Sequence, residues 1–166
     1  MSVKIYWIET YTNAARLGIM ARPRGNEWLT DEIASLKKQN VNFLVSLLES
    51  GEIEELGLWQ EESICMKYGI DFANLPIADR NIPKNDGKVD LFINLMSAKI
   101  DEGQSIVIHC RMGIGRSSII AGSILLQKEH NSNAKGIIDR ITSVRGLKVP
   151  DTGDQIAWLK KREQNK

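Results

Sequence analysis

Short apolar runs alternate with longer amphipathic segments along this chain. Runs rich in β-branched or aromatic residues predict strands at residues 3–8, 17–21, 41–48, 72–77 and 106–108. The run at 41–48 is apolar at almost every position, which is typical of a strand covered on both faces in a parallel sheet. The polar turn between the first two runs predicts that they pair along one edge of the sheet.

Helical periodicity dominates the remaining segments. In the second of two short acidic helices, Glu61 and Glu62 are expected to face outward. Asn131 or Asn133 is expected to cap the penultimate helix, and Asp151 the last one. The helices are expected from about residue 30, within 49–57 and 59–68, from 87 to 99, from 117 to about 129, from about 133 to 144, and after 151.

Strands and helices alternate with no linker, low-complexity tract or repeat between them. We therefore predict a single catalytic α/β domain over residues 1–166, with a central, mostly parallel twisted sheet of about four or five strands flanked by helices. In such a sheet, ligands bind at the carboxyl ends of the strands. Residues that directly follow a predicted strand are therefore the first candidates for a functional site.

Composition limits the partners and the location. The chain has 166 residues, of which 42% are apolar and 26% charged, and a net charge of +1, so no bulk charge attracts nucleic acid or a membrane surface. No apolar run approaches the ~20 residues of a membrane span, and the first residues lack the layout of a signal peptide. Two cysteines argue against a disulfide scaffold and for a cytoplasmic protein, although pairing of Cys65 with Cys110 under oxidation stays open. All four tryptophans lie among apolar positions and are expected in the core: Trp7, Trp28, Trp59 and Trp158.

The segment 105–121 carries the strongest functional signal in the chain. A buried strand stops at His109-Cys110, a loop follows in which Gly113 and Gly115 allow tight backbone turns, and a helix then begins. Such a loop directs successive backbone N–H groups into one concavity at the positive end of the helix. We therefore expect an anion there, and phosphate is its natural occupant.

Three side chains of this segment would turn an anion site into a reaction centre. Cys110 is expected to ionise to a nucleophilic thiolate beside the inward N–H groups. The planar guanidinium of Arg116, separated from it by five residues, can hold two oxygens of a phosphate dianion. The hydroxyl of Ser117 can donate a hydrogen bond to the sulfur and stabilise the thiolate as a leaving group in a second step.

The pattern His109-Cys110-x5-Arg116-Ser117 resembles the signature loop of the cysteine-based protein tyrosine and dual-specificity phosphatases, and most of the chain is similar to small kinase-associated-phosphatase-like members. The resemblance implies a cysteinyl-phosphate intermediate and no metal or cofactor. It also implies that His109 orders the loop. The residues that would bind the substrate phosphate are Arg111, Met112, Gly113, Ile114, Gly115 and Arg116.

Two further side chains are candidates for proton transfer and water positioning. The segment 75–83 is similar to the acid-bearing loop of dual-specificity phosphatases and makes Asp79 the candidate general acid and base. The alternative interpretation is that Asp79 only forms a turn in this loop. Gln155 ends a segment, 144–155, that resembles the region facing the catalytic loop in atypical members, where the amide would position water. The alternative interpretation is that Gln155, in the first turn of a helix, is exposed to solvent.

These features together predict a phosphomonoester hydrolase of the protein tyrosine or dual-specificity phosphatase type. We expect a monomer that acts on a phosphorylated protein or on a small phosphomonoester, with phosphotyrosine, phosphoserine and phosphothreonine as candidate targets. Nucleic acid and membranes are not expected partners. Two alternatives remain: a phosphate-binding interaction module without turnover, and a thiol enzyme that handles sulfur or arsenate.

Overall fold

The computed structural model describes residues 2–165, which form five strands and seven α-helices. Within these residues, no helix is both long and apolar enough to cross a membrane. The strands are β1 (Tyr6–Thr10), β2 (Arg16–Met20), β3 (Phe43–Ser46), β4 (Asp71–Asn74) and β5 (Ile106–His109). The helices are α1 (Leu29–Lys38), α2 (Ser50–Glu55), α3 (Glu61–Lys67), α4 (Asp86–Asp101), α5 (Arg116–Lys128), α6 (Ala134–Arg145) and α7 (Gly153–Gln164).

The strands form one sheet in the order β1-β2-β5-β3-β4. Strand β1 runs antiparallel to β2 at one edge, and the other neighbouring strands are parallel. Met20 and Ser46 both pair with His109, so the carboxyl ends of β2, β3 and β5 meet at the same edge of the sheet. The predicted α/β class, the mostly parallel sheet and the edge pairing of the first two strands are confirmed.

Side chains of the central strand β5 alternate between two cores. Ile106 and Ile108 pack in the larger core with residues of α4, α5, α6 and α7, whereas Val107 packs in the smaller core with residues of α1 and α3. All four residues of β3 are buried, as the apolar run predicted. Helix α5 is buried from Arg116 to Leu126, so the loop before it is fixed between two buried elements.

One of the two predicted helix caps is confirmed. Asn133 caps α6 through its side chain, which accepts a backbone hydrogen bond. The expected cap at Asp151 is wrong. Thr152 caps α7, and its side chain forms a reciprocal capping box with Gln155. The side chain of Thr152 accepts a hydrogen bond from the backbone N–H of Gln155 in the first turn of α7, so Asp151 has no capping role.

The expected outward direction of Glu61 is also wrong. This residue is 2% exposed and shares the buried face of α3 with Ile64 and Cys65. Trp28 and Trp59, both expected in the core, are exposed at 48% and 70%. The other two tryptophans pack in or against the cores. The buried stripe of α3 therefore includes a charged residue beside Ile64 and Cys65.

Candidate active site

The candidate site lies where β5 ends and α5 begins. Strand alternation directs the side chain of His109 toward α3 and that of Cys110 toward the larger core. The Sγ of Cys110 lies 3.3 Å from the Oγ of Ser117, in the first turn of α5. Both residues are buried, so bulk water does not compete for this contact.

Four consecutive carbonyl groups of the loop bond to donors outside it. The first carbonyl contacts an imidazole ring, the second accepts from a backbone N–H, and the last two accept from one guanidinium. The contacts are His109 Nδ1 to Cys110 O (3.2 Å), Arg22 N to Arg111 O (3.2 Å), Arg145 Nη2 to Met112 O (3.1 Å) and Arg145 Nε to Gly113 O (3.0 Å). Because C=O and N–H point in opposite directions across a trans peptide, the next N–H groups turn inward.

These inward N–H groups have no protein acceptor. Within residues 2–165, no backbone N–H from Arg111 to Gly115 donates to another residue. Arg116 and Ser117, the first two residues of α5, add N–H groups that a helix leaves unpaired. A set of free donors at the positive end of a helix is an anion site. The loop therefore has the form that the sequence predicts for a phosphate cradle.

Close packing requires two of the loop glycines. Gly113 has a φ of 69°, and a Cβ at this position would lie 2.6 Å from the carbonyl carbon of Met20. A Cβ on Gly115 would lie 2.5 Å from Oδ2 of Asp151 and 2.9 Å from Oε1 of Gln155. The loop thus packs directly against the end of β2 and the start of α7.

The guanidinium of Arg116 is buried and held in one orientation. Its two Nη atoms bond the carboxylate of Glu52 over 2.8 and 2.9 Å, in a bidentate pair. Nη1 also donates to the carbonyl of Ile77 over 2.8 Å, and Nη2 donates to Oδ1 of Asp79 over 3.0 Å. Nε has no acceptor within residues 2–165. One face of the fork is therefore committed to Glu52, and the Nε–H remains available to a ligand.

Glu52 and Arg116 stabilise each other's charged forms. Partial burial alone would raise the pKa of the Glu52 carboxyl, but the hydrogen bonds from Arg116 and from the backbone of Glu49, with the nearby positive charges, hold that pKa below its ordinary value. Burial alone would lower the pKa of Arg116, but Glu52 and the charges at Cys110 and Asp79 raise it. The guanidinium therefore stays charged beside the cradle.

The segment after β4 carries Asp79 to the same edge. Two backbone hydrogen bonds extend the β3–β4 pairing beyond β4, from Leu75 N to Ser46 O (2.9 Å) and from Ile77 N to Leu47 O (3.0 Å). The exposed carboxylate of Asp79 then reaches the guanidinium described above. The candidate acid and the candidate nucleophile thus meet through the arginine fork, as their positions just after strand ends predict.

Gln155 is buried and joins α7 to the segment that bears Asp79. Its Oε1 accepts from the backbone N–H groups of Asp151 and Thr152, over 3.0 and 3.2 Å, and its Nε2 donates to the carbonyl of Asn81 over 3.1 Å. The solvated alternative therefore does not hold. The second N–H of Nε2 has no acceptor within the described residues, and Nε2 lies beside Gly115 of the loop.

A buried pair supports the loop from the other face of the sheet. The Nε2 of His109 lies 2.7 Å from Oε2 of Glu61, and both side chains are almost fully enclosed. A carbonyl oxygen only accepts, so the Nδ1 that contacts Cys110 O carries a hydrogen. The carboxyl group of Glu61 holds the ring by its other nitrogen and so fixes the ring orientation.

The side chains on the rim of the loop differ in their surroundings. Arg111 pairs with Glu55 over 3.2 Å, Met112 is exposed, and Ile114 is half-buried against the larger core. Arg111 also lies 3.9 Å from the carboxylate of Glu52, which holds Arg116. The binding role of residues 111–116 stays a prediction.

Two residues of the site were missed in the sequence: Glu52, which orients Arg116, and Glu61, which holds His109. Glu61 carried a signal, because it lies three and four positions before Ile64 and Cys65 and so shares their helical face. A charge on an apolar stripe indicates a buried partner. Glu52 lies in a stretch with several carboxylates, and nothing local distinguishes it from its neighbours.

The two cysteines lie in different cores. Cys65 packs in the smaller core and Cys110 in the larger one, and both are free thiols. Burial, with the charges of Glu61 and Glu62, raises the pKa of the Cys65 thiol to about 12. Because the sheet separates the two cores, a disulfide between these cysteines would require the core to unpack.

A cradle of free N–H groups, a cysteine at its start and an arginine at its end define the site of a cysteine-dependent phosphatase. The family model described as "Polymorphic toxin system, DSP-PTPase phosphatase" matches residues 18–130, about two thirds of the chain. The protein belongs to this family. The matched segment contains Asp79, Cys110 and Arg116, whereas β1, α6 and α7 lie outside it.

Two curated proteins are similar to this chain in sequence. The chain is 24% identical over 124 residues to cyclin-dependent kinase inhibitor 3 of Rattus norvegicus, covering 75% of this chain and 58% of that protein. It is 23% identical over 124 residues to effector protein hopD2 of Pseudomonas syringae pathovar tomato, covering 67% of this chain and 26% of that one. It thus spans little more than half of one curated relative and about a quarter of the other.

Solved structures establish the fold. A crystal structure of kinase associated phosphatase, with its catalytic cysteine replaced by serine, superposes with a TM-score of 0.89 at 19% identity, over 99% of this chain and 96% of that one. A crystal structure of PTPMT1 gives a TM-score of 0.77 at 20% identity, over 98% and 95% of the two chains. The helices outside the family match, α6 and α7, therefore also belong to the phosphatase fold.

Proposed function

We propose that this protein hydrolyses phosphate monoesters through a cysteinyl-phosphate intermediate, as a protein tyrosine or dual-specificity phosphatase. The observation that carries the proposal is the run of backbone N–H groups from Arg111 to Gly115, which have no acceptor within residues 2–165 and begin directly after Cys110. With the Arg116 fork, these donors match the equatorial oxygens of a phosphoryl group. Membership in a phosphatase family supports the same reaction.

In the first step the Cys110 thiolate attacks phosphorus, and the S–P bond forms as the bond from phosphorus to the leaving oxygen breaks. The phosphate dianion accepts the Nε–H of Arg116 and the Nη2–H that otherwise goes to Asp79. Asp79, displaced from the guanidinium and protonated, gives its proton to the leaving oxygen. Glu52 keeps the fork oriented, because its bidentate pair uses donors that the phosphate does not need.

In the second step water attacks the cysteinyl-phosphate. The Asp79 carboxylate takes a proton from that water, the S–P bond breaks, and inorganic phosphate leaves. The Ser117 hydroxyl, 3.3 Å from the sulfur, stabilises the departing thiolate. The uncommitted amide N–H of Gln155, beside Gly115, orients the water.

The proposed substrate is a phosphorylated protein, carrying phosphotyrosine or phosphoserine and phosphothreonine, or a small phosphomonoester. The enzyme is proposed to act as a cytoplasmic monomer without metal or cofactor. A site completed by residues of one chain supports a monomer, and two free cysteines support a reducing compartment.

Turnover of an activated aryl phosphate in the presence of a chelator tests the proposal. Wild type should hydrolyse it, and Cys110→Ser should lose activity by about 10^4-fold or more, because the hydroxyl does not ionise. Rapid acid quenching followed by peptide mass spectrometry should find one phosphoryl group on Cys110. Cys65→Ala is the matched control and should keep activity. A Cys110→Ser enzyme with more than about 1% of wild-type activity would exclude the covalent route.

The two alternative functions are tested in the same assay. A binding module without turnover would bind phosphopeptides with the wild-type chain and release no phosphate. A thiol enzyme for sulfur or arsenate would turn over thiosulfate or arsenate. Relay chemistry on arsenate requires a second reachable cysteine, and the position of Cys65 in the opposite core argues against that route.

A further inference from the structure

Asp151, which does not cap α7, lies against the signature loop. A Cβ on Gly115 would be 2.5 Å from Oδ2 of Asp151, so this oxygen packs against the residue that precedes Arg116. Only 26% of the Asp151 side chain is exposed. A carboxylate repels a phosphate dianion, so its position beside the cradle does not serve phosphate binding. The catalytic steps proposed above leave this carboxylate without a role.

The carboxylate of Asp151 has spare capacity to accept hydrogen bonds. Neither of its oxygens accepts a hydrogen bond from a donor within residues 2–165. Its ion pair in that range is with Arg80, whose Nη1 lies 3.9 Å from Oδ1. The Arg80 side chain is 64% exposed, so solvent screens this pair. Oδ2, the oxygen that faces the loop, therefore remains able to accept a hydrogen from a ligand or from water.

Gln155 approaches the same side of Gly115. Its Nε2 lies 3.0 Å from the position that a Cβ on Gly115 would take, and Oδ2 of Asp151 converges on that position too. One hydrogen of Nε2 is bound to the carbonyl of Asn81, and the other has no acceptor in the described chain. A free donor and a free acceptor thus lie side by side against the loop. A water molecule, which both donates and accepts, satisfies the two together.

The start of α7 and the segment that bears Asp79 are joined by two contacts. Gln155 donates to the carbonyl of Asn81 over 3.1 Å, and Arg80 pairs with Asp151. Arg80 has a φ of 61°, in the left-handed region that few residues other than glycine adopt, so these contacts hold its turn in a specific conformation. The two carboxylates, Asp79 and Asp151, therefore belong to one assembly around the loop.

We infer that Asp151 accepts a hydrogen bond from the water that attacks the cysteinyl-phosphate, and that it is thus a second carboxylate of the hydrolytic step. The inference rests on the proposed function and extends it. One hydrogen of the water leaves as a proton to Asp79, the other bonds Oδ2 of Asp151, and Gln155 donates to the water oxygen. The O–P bond forms as the S–P bond breaks. The electron pair of the S–P bond returns to the sulfur of Cys110, and the second hydrogen leaves with inorganic phosphate.

An alcohol distinguishes this role from simple support of the loop. Methanol has one hydroxyl hydrogen, which goes to Asp79 when methanol attacks the cysteinyl-phosphate and forms methyl phosphate. No hydrogen then remains for Asp151 to accept, whereas Gln155 still donates to the attacking oxygen. Loss of the Asp151 carboxylate should therefore slow hydrolysis and spare transfer to methanol. Loss of the Gln155 amide should slow both reactions.

The partition of the phosphoenzyme between water and methanol tests the inference. An activated aryl phosphate is turned over in a fixed mixture of methanol and water, and phosphorus NMR gives the initial ratio of methyl phosphate to inorganic phosphate. This ratio reports the second step alone, because both products come from one intermediate. The variants are Asp151→Asn, Asp151→Ala and, for comparison, Gln155→Ala. The control is Asp154→Asn, which removes the same charge from an exposed position in the first turn of α7.

Asp151→Ala should raise the ratio by about tenfold or more, because a hydrogen bond to a charged group is lost. Asp151→Asn should raise it by about threefold or more, because an amide oxygen is the weaker acceptor. This variant keeps the size of the side chain, so it decides the matter if the alanine impairs folding. Gln155→Ala and Asp154→Asn should stay within about twofold of wild type. Ratios within about twofold of wild type for Asp151→Asn and Asp151→Ala overturn the inference.

The outcome is separable from that of the proposed function. If wild type releases no phenol, or if Cys110→Ser keeps its turnover, the covalent route fails and the inference fails with it. If wild type turns over through Cys110 and the ratio does not respond to Asp151, the inference alone is overturned. Absence of methyl phosphate in wild type and in both Asp151 variants has the same meaning, because water then keeps its advantage without the carboxylate.

Discussion

Each of the two cysteines meets a different environment, and their reactivities should differ accordingly. Burial and the charges of Glu61 and Glu62 raise the pKa of Cys65 to about 12, so at neutral pH this residue stays an unreactive thiol. Cys110 lies beside free N–H groups and Arg116. Iodoacetamide at pH 7 should therefore modify Cys110 alone in the native protein, and after unfolding it should modify both. Peptide mass spectrometry gives the sites, and comparable native labelling of Cys65 would contradict the burial argument.

The separation of Cys65 and Cys110 by the sheet also determines how the protein should respond to oxidation. Mild peroxide should inactivate the enzyme reversibly through Cys110, and no Cys65–Cys110 disulfide should form while the cores stay packed. Non-reducing peptide mapping is the measurement. Recovery of that disulfide from protein that still shows its native near-ultraviolet circular dichroism would mean that the two cores exchange partners without global unfolding.

Glu61 is a positioning residue, because it acts through His109 on the carbonyl of Cys110. Glu61→Gln should lower kcat/KM by about tenfold and the free energy of unfolding by about 1–3 kcal/mol, since an amide makes a weaker hydrogen bond to the enclosed imidazole than a carboxyl group does. The exposed neighbour Glu62 supplies the control, and Glu62→Gln should change neither quantity. Steady-state kinetics and urea denaturation measure both effects. An unchanged kcat/KM in a destabilised Glu61→Gln would reduce Glu61 to a packing role.

Asp79 should show its role through the leaving group. If it protonates the leaving oxygen, Asp79→Asn should slow hydrolysis of phosphotyrosine or an alkyl phosphate by about 10^2 to 10^4-fold and affect activated aryl phosphates much less. Asp71 begins β4, at the opposite edge of the sheet, so Asp71→Asn serves as control. Equal losses for both classes of substrate would mean that Asp79 only shapes its loop.

At the scale of elements, the short helix α2 matters because it supplies Glu52 to Arg116. The pKa of Glu52 is lower in the folded protein than its ordinary value of 4.5. A lowered folded-state pKa stabilises the fold above the ordinary pKa, and this stabilisation is lost as the pH falls through the folded value. Glu52→Gln should therefore lower the free energy of unfolding at pH 7 by about 1–3 kcal/mol.

The pH dependence distinguishes this effect from simple packing. The difference in unfolding free energy between wild type and Glu52→Gln should narrow as the pH falls below 4.5 and through the lowered pKa of Glu52, because the carboxylate is then protonated and loses its charge. Chemical denaturation at several pH values measures it. Glu54→Gln, an exposed change in the same helix, should leave the unfolding free energy unaltered throughout. A gap that is constant from pH 7 to pH 3 would show that charge is not the cause.

Elements were predictable where local pattern and tertiary burial agree. The run before His109 is β-branched and buried on both faces, and the residues after Gly115 are uniformly buried, so strand, loop and helix appeared directly in the sequence. Helix α3 was misread because its inward face includes Glu61, whose partner lies 48 positions later in the chain. The cap of α7 fell one residue from the prediction, because threonine and aspartate are both good caps and only the backbone decides between them.

At the scale of the whole molecule, the candidate site combines one local loop with supports from distant segments. The nucleophile, cradle and fork lie within seven consecutive positions, 110–116, and could be found without a structure. The supports Glu52 and the backbone of Arg22 could not, because nothing near them in the chain marks their contact with the loop. Arg145 lies in the segment 144–155, whose resemblance to the region facing the catalytic loop did indicate its position. Asp79 was found because segment 75–83 is similar to the acid-bearing loop of dual-specificity phosphatases and directly follows a predicted strand.

Gln155 offers a test of that long-range assembly. If its free N–H orients the hydrolytic water, Gln155→Ala should make the second step limiting, so an activated aryl phosphate should give a burst of about one phenol per chain and phosphoenzyme should accumulate. Gln60→Ala, an exposed change, should show wild-type kinetics. Stopped-flow absorbance follows the burst. Slow turnover without a burst would indicate that Gln155 only joins α7 to the segment around Asn81.

The fixed carbonyls of the loop have a consequence for protein engineering. Arg145 and Gln155, which contact the loop from α6 and α7, come from a stretch that lies outside the segment matched by the family. The nucleophile and the arginine fork are thus encoded in one stretch of the chain, and part of the support of the loop in another. Exchanging the stretch after residue 130 between relatives should therefore change the rate of catalysis even when residues 110–116 are kept.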